Sequence, residues 1–191
     1  MAKQTKQALA DALMRLSQTK PLNKITITDL TEDCKISRMT FYYHFRDIYD
    51  LVGWMCLEEG SRAVGSCKDY DTWEEGFRSA CQLALENRAF VEAVCRWVQH
   101  EQIEDYLYRV LYQPVWEVVQ GQTERASIPE TEKKRMTEFF TLAFLGTALM
   151  WVKKGFRESP EELTQGLSML VNGQIALAIR NYRFGGLKVQ D

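Results

Sequence analysis

Residues 36–47 read Ile36-Ser37-Arg38-Met39-Thr40-Phe41-Tyr42-Tyr43-His44-Phe45-Arg46-Asp47, or ISRMTFYYHFRD. Two tyrosines, a histidine and two arginines crowd around two phenylalanines in one short run. On a helix Phe41 and Phe45 are four apart and share a face, with Ile36 and Ile48 nearby, so they pin the segment to its neighbours. Arg38, Met39, Thr40, Tyr42, Tyr43 and His44 then fall on the outer arc or the helix end, and all but Met39 can hydrogen-bond. Ser37 is an N-cap candidate for this helix, and Asp47 for the next.

Upstream, Thr26-Ile27-Thr28-Asp29 pairs a Thr N-cap with an acid three residues on, which predicts a helix to about Cys34 and a turn at Lys35-Ile36. Two short helices joined by a tight turn form a helix-turn-helix. An earlier helix over 3–18 carries Ala8, Leu9, Ala12, Leu13 and Leu16 as its apolar stripe and stops at Thr19-Lys20-Pro21. In this arrangement the second short helix enters a DNA major groove N-terminus first. Ser37 faces phosphate and Arg38 reaches base edges. Met39 and Tyr42 offer apolar surface to thymine methyls, Tyr43, His44 and Arg46 donate to phosphate at the helix end, and Thr26 and Thr28 donate from the supporting helix. The alternative reading makes Tyr42 and Tyr43 half-buried packing residues and the basic charge a solvated face.

Charge is unevenly distributed along the chain. The whole chain of 191 residues is at −2, which argues against a surface that coats nucleic acid everywhere. Residues 1–46, however, carry eight Lys/Arg against four acids, a net +4 that leaves −6 for the remainder. A basic head joins an acidic body.

Beyond the head, apolar residues recur at helical spacing, Gly and Pro are scarce, and no strand pattern stands out, so an all-α fold of about nine helices is expected. A fourth helix over 48–65 links head and body, with Asp69 to Asp71 marking the junction. Helices follow from Trp73 to Glu86, after Asn87 to Trp97, and over about 102–120 and 130–154. A last one opens on the capping box Ser159-Pro160-Glu161-Glu162 and runs to Tyr182. The domain boundary is expected at 47/48, with residues 1–47 as the helix-turn-helix domain and 48–191 as the effector-binding and dimerisation domain.

Aromatics are dense in the body. Most fit a core, yet Trp54, Phe77, Cys81, Trp97, His100, Tyr112, Trp116 and Phe144 could line a small-molecule cavity. The uncharged run from Phe139 to Val152 is shorter than the roughly 20 apolar residues that span a bilayer. Its Phe140, Leu149 and Trp151, with Leu170, Ile175, Ala178, Ile179 and Tyr182, offer a dimer interface, unless these helices are simply central in a monomer. Five cysteines without a C-x-x-C pair, and only two histidines, predict neither disulfide framework nor metal site nor cofactor. The N-terminus lacks a signal peptide's apolar region, so a reduced, cytoplasmic protein is expected. Enzyme signatures such as a Gly-rich phosphate loop, H-E-x-x-H or G-x-S-x-G are missing, and a Cys95–His100 pair is the one catalytic alternative.

The run TITDLTEDCKISRMTFYYHFRDIYDLVGW, residues 26–54, resembles the DNA-binding head of the TetR/AcrR family of bacterial transcriptional regulators. ISRMTFYYHFRDIYDL with Trp54, and FFTLAFLGTALMWVKKGFRESPEELTQGL over 139–167, resemble the family's DhaS-like branch of dihydroxyacetone-kinase regulators. The resemblance implies DNA contacts by Thr26, Ser37, Arg38, Thr40, Tyr42, Tyr43 and His44. It also implies dimerisation through the last two long helices, a palindromic operator, an effector cavity in the body, and repression as the family's usual action. Activation, or co-regulation without DNA binding, is the alternative. Two positions depart from the family pattern: Met39 stands where many members have glycine, and Ile48 where a lysine often opens the fourth helix, leaving Arg46 as a substitute phosphate contact.

Overall fold

The computed structural model describes residues 2–66, 72–98, 100–124 and 126–185, without the side chains of Ser66, His100 and 183–185. Cys67, Gln99 and the expected junction at Asp69 to Asp71 lie outside the described residues. Ten α-helices and two 3-10 turns make up the regular structure of that part, with no strand among the described residues. They are α1 (Ala2–Ser17), α2 (Ile27–Asp33), α3 (Arg38–His44), α4 (Ile48–Ala63), α5 (Trp73–Glu86), α6 (Arg88–Trp97), α7 (His100–Thr123), α8 (Glu130–Lys153), α9 (Pro160–Val171) and α10 (Gln174–Gly185).

Local chemistry sets most boundaries. Thr26 caps α2 in a reciprocal capping box with Asp29, Ser37 accepts from the Thr40 amide at the start of α3, and Ser159 and Glu162 box the start of α9. Asp47 Oδ1 accepts from the Asp50 amide at 2.8 Å and opens α4. The one helix expected over 159–182 is two. Asn172 leaves helical geometry with ψ 128° and Gly173 takes φ +79°, a left-handed conformation that glycine adopts without steric cost, so α9 ends and α10 starts afresh.

The chain packs as two compact units. The first comprises Met1–Gly60 and Glu86–Leu107. Its core joins Leu9, Leu13, Leu30, Phe41, Leu51 and Val52, all fully buried, so packing continues from the head into the first half of α4. In α1 the buried stripe includes Ala10 rather than the expected Ala8, which is exposed. The second unit comprises Ser61–Leu85 and Tyr108–Asp191. There Trp73 and Phe77 of α5 meet Phe144 of α8 at ring-centroid distances of 5.2 and 5.3 Å. After α8 the chain turns through Gly155 and Phe156, both at positive φ. Phe156 is held there by its edge-on contact with Trp151 at 4.6 Å, and Trp151 Nε1 donates to the Glu158 carbonyl at 2.9 Å.

Candidate nucleic-acid interface

The turn between α2 and α3 is closed by backbone bonds from the Ile36 amide to the Thr31 carbonyl, 2.9 Å, and from Lys35 to Glu32, 3.1 Å. Lys35 takes the left-handed conformation, φ +54°, that reverses the chain there. With α2 held in place, Phe41 at 0% exposure and Phe45 at 3% anchor α3 from its inner side. Its outer side is then open to solvent: Met39 is 78% exposed, Tyr42 50% and Tyr43 83%, and Arg38 and Arg46 are exposed as well. Met39, Tyr42 and Tyr43 thus stand in solvent on a seven-residue helix with two exposed cations beside them, Tyr42 touching only the edge of Phe41 and Tyr43 that of His44 among the ring contacts.

The remaining head residues divide by their partners. Ser37 Oγ lies 2.9 Å from Thr40 Oγ1 as well as accepting the Thr40 amide, so both hydroxyls sit together at the N-terminus of α3. Thr40 and His44 are half-buried, His44 lying edge-on to Tyr43 at 5.0 Å. Thr28 is exposed. Thr26 is exposed too, but its hydroxyl donates to Asp29 Oδ2 at 2.8 Å, so that proton belongs to the cap. Lys20 Nζ, 2.5 Å from the same Oδ2, and the Thr26 backbone and hydroxyl hold the Asp29 carboxyl well below the usual range, at about 2.

Lys6 is a head residue that sequence reading passed over. Its ammonium lies 5.3 Å from the Phe45 ring centre and 5.8 Å from that of Trp54, and Phe45 and Trp54 contact each other at 5.9 Å. The cation thereby ties α1 to the end of α3 and to α4. No short-range motif announces such a contact, because its three members are scattered over 49 residues of sequence.

In the second unit a cavity of about 50 Å³ is walled almost wholly by apolar side chains, among them Val64, Trp73, Phe77, Pro114, Val118, Phe140, Phe144 and Ile175. Of the residues expected around a pocket, Phe77 and Phe144 form its wall. Cys81, Tyr112 and Trp116 belong to the same unit but stand outside that wall. Trp54 and Trp97 are engaged in the first unit, Trp54 with Phe45 and Trp97 stacked on Tyr49 at 4.2 Å, and the side chain of His100 lies outside the described residues. Burial raises the Cys56 thiol to about 11 and Cys81 to about 12, which keeps both protonated at neutral pH.

The residues expected at a dimer interface also separate. Phe140, Trp151 and Ile175 are buried within their own protomer, the first and last in the cavity wall. Leu149, Ala178 and Ile179 are half-buried, whereas Leu170 at 70% and Tyr182 at 40% face outward. Phe139, Leu142 and Met150 on α8 and Met169 on α9 are exposed with them.

Residues 71–173, more than half of the chain, match the TetR C-terminal family model described as "Transcriptional regulator C-terminal region". The chain belongs to the TetR family of transcriptional regulators. This TetR-family chain is 24% identical over 90 residues to the HTH-type dhaKLM operon transcriptional activator DhaS of Lactococcus lactis subsp. lactis (strain IL1403), an alignment covering 47% of this chain and 48% of the relative. The matched region therefore spans about half the length of that curated relative. Among solved structures, the fold of the TetR-family chain is similar to that of the dihydroxyacetone kinase operon activator DhaS, with a TM-score of 0.69 at 20% identity, covering 91% of this chain and 97% of the other. It is also similar to the TetR family repressor AlkX from Dietzia sp. strain DQ12-45-1b, with a TM-score of 0.58 at 14% identity, covering 91% and 96%. No helix among the described residues of this TetR-family regulator is long and apolar enough to cross a membrane.

Proposed function

We propose that this regulator binds a palindromic DNA operator as a homodimer, with residues 1–47 reading DNA and residues 48–191 serving dimerisation and effector binding. The observation that carries the reading is the outer face of α3, where Arg38, Met39, Tyr42 and Tyr43 stand in solvent while Phe41 and Phe45 hold the helix from behind. Arg38 reads base edges, Met39 and Tyr42 contact thymine methyls, and Ser37, Thr40, Tyr43, His44, Arg46 and Thr28 position the head on phosphates. One short helix reads too few bases for specificity, so a second copy is needed. The exposed apolar side chains of α8 and α9 supply the surface for it.

The effector acts on the second unit. The cavity as it stands is small, about 50 Å³, and lined almost wholly by apolar side chains. An effector is therefore either a compact apolar molecule that opens the cavity or a protein partner docking on the body. Repression is the usual action implied by the sequence resemblance, and AlkX is named a repressor. Activation is the second reading, favoured because both DhaS matches are named activators.

Selection of bound sites from random duplex DNA with the purified chain, combined with light scattering, tests this directly. Enrichment of an inverted repeat by a dimer is expected. A monomer at micromolar concentration, or a protein indifferent to sequence, would overturn the proposal.

A further inference from the structure

Gly53 lies in the interior of α4, where glycine costs a helix about 1 kcal/mol relative to alanine. Packing supplies the reason for it. A Cβ at Gly53 would stand 2.4 Å from Cζ, 2.6 Å from Cε1 and 2.7 Å from Oη of Tyr106, so the phenol ring of α7 occupies the space a side chain would take. One turn earlier on the same face of α4, Tyr49 stacks nearly parallel on Trp97 at the end of α6, at 4.2 Å and 16°. Elsewhere α4 meets the head through Trp54 against Phe45. The helix that leads out of the head is thus gripped by α6 and the start of α7, all within the first compact unit. Burial first, then Asp50, Cys56 and Asp47, raise the Tyr106 hydroxyl, with Arg46 acting against them.

We propose that Tyr106, seated in the notch at Gly53, is a positioning residue for operator binding: it fixes α4 against α7 and thereby holds the DNA-reading head in its binding-competent setting. The inference rests on the reading of the chain as an operator-binding regulator. Its physical basis is pre-organisation. If the seat is lost, α4 samples several settings, and apparent affinity for a site that demands one of them falls by the fraction of time spent there. Binding to arbitrary duplex makes no such demand. Along α7, the same helix carries Pro114 and Val118 of the cavity wall, so Tyr106 stands on an element that also lines the body's cavity.

The test uses the full chain and the site that the wild type selects from random DNA, with an unrelated duplex as control. Gly53→Ala, whose methyl displaces the ring, and Tyr106→Ala, which removes it, are each expected to lower affinity for the selected site about ten-fold, as a setting populated roughly one-tenth of the time would. Affinity for the unrelated duplex is expected to stay unchanged. Tyr106→Phe keeps the ring and retains wild-type discrimination. The double variant binds like Tyr106→Ala alone, since with the ring gone the methyl loses the three atoms nearest to it. Wild-type discrimination in Tyr106→Ala, or additive losses in the double variant, would overturn the inference. If Gly53→Ala does not fold, the contrast between Tyr106→Ala and Tyr106→Phe decides, because both leave Gly53 in place. A wild type that selects no sequence at all would overturn the functional reading, and this inference with it.

Discussion

At the scale of single residues, the head separates buried anchors from exposed side chains. Phe41 is fully buried and Tyr43, two positions on, is 83% exposed, so changes at these neighbours have different consequences. Arg38→Ala is expected to relax base preference and to cost about 1–3 kcal/mol at the cognate site, the worth of a bidentate base contact. Tyr43→Phe should weaken all sequences alike, as loss of a phosphate donor does. Gel-shift titrations on the selected site and on a scrambled duplex distinguish the two, and equal losses on both DNAs for Arg38→Ala would remove it as a reader. Lys35 offers a stability test. It holds φ +54° in the turn between α2 and α3, a conformation that costs an L-residue roughly 1 kcal/mol and glycine almost nothing. Lys35→Gly should therefore raise stability by up to about 1 kcal/mol, less the greater chain entropy of glycine when unfolded, as a higher urea midpoint with an unchanged slope.

At the scale of elements, capping decides where the short helices begin, and pH tests the clearest cap. Asp29 accepts from the Thr26 backbone amide at 2.7 Å and its hydroxyl at 2.8 Å, and pairs with Lys20. Its carboxyl is held at about 2, below the ordinary 3.8. A group depressed on folding contributes stability that is present above its unfolded value and lost as pH falls through its folded value. The Asp29 contribution should therefore be complete at neutral pH and disappear between about pH 4 and pH 2. Urea titrations across that window should show the wild type losing more stability than Asp29→Asn, which has no such proton to take up. Parallel curves would show that the charge on Asp29 contributes nothing to stability. Thr26→Ala removes the other half of the box and is expected to cost about 1 kcal/mol at neutral pH.

At the scale of the whole molecule, the outward face of α8 and α9 is the one on which assembly would be tested. Leu170, 70% exposed in a single chain, makes no core contact that its loss would empty. Leu170→Asp should accordingly leave the melting temperature of the protomer little changed while light scattering reports monomer and affinity for an inverted repeat collapses. A dimer that persists would place the interface elsewhere. Family membership, the all-helical fold and most helix boundaries were legible in the sequence. Caps at Thr26, Ser37, Asp47 and Ser159, and the four-residue spacing of Phe41 and Phe45, act within a turn or two of helix, so the information lies side by side in the chain. The exposed face of α3 followed from the same spacing. Assignments in the body needed the third dimension. Phe140 and Trp151 turn inward while Phe139, Leu142 and Met150 turn outward, and an uncharged run such as FFTLAFLGTALMWV carries no polar residues to mark which side meets solvent. Trp54 and Trp97 serve α4, through Phe45 and Tyr49, and Tyr106 fills the notch at Gly53 from far along the chain. Local propensity determines that each of these residues stands on a helix; only the packing of helices distant in sequence determines what each side chain meets, because that choice is made by shape and burial between elements rather than by hydrogen bonds within one.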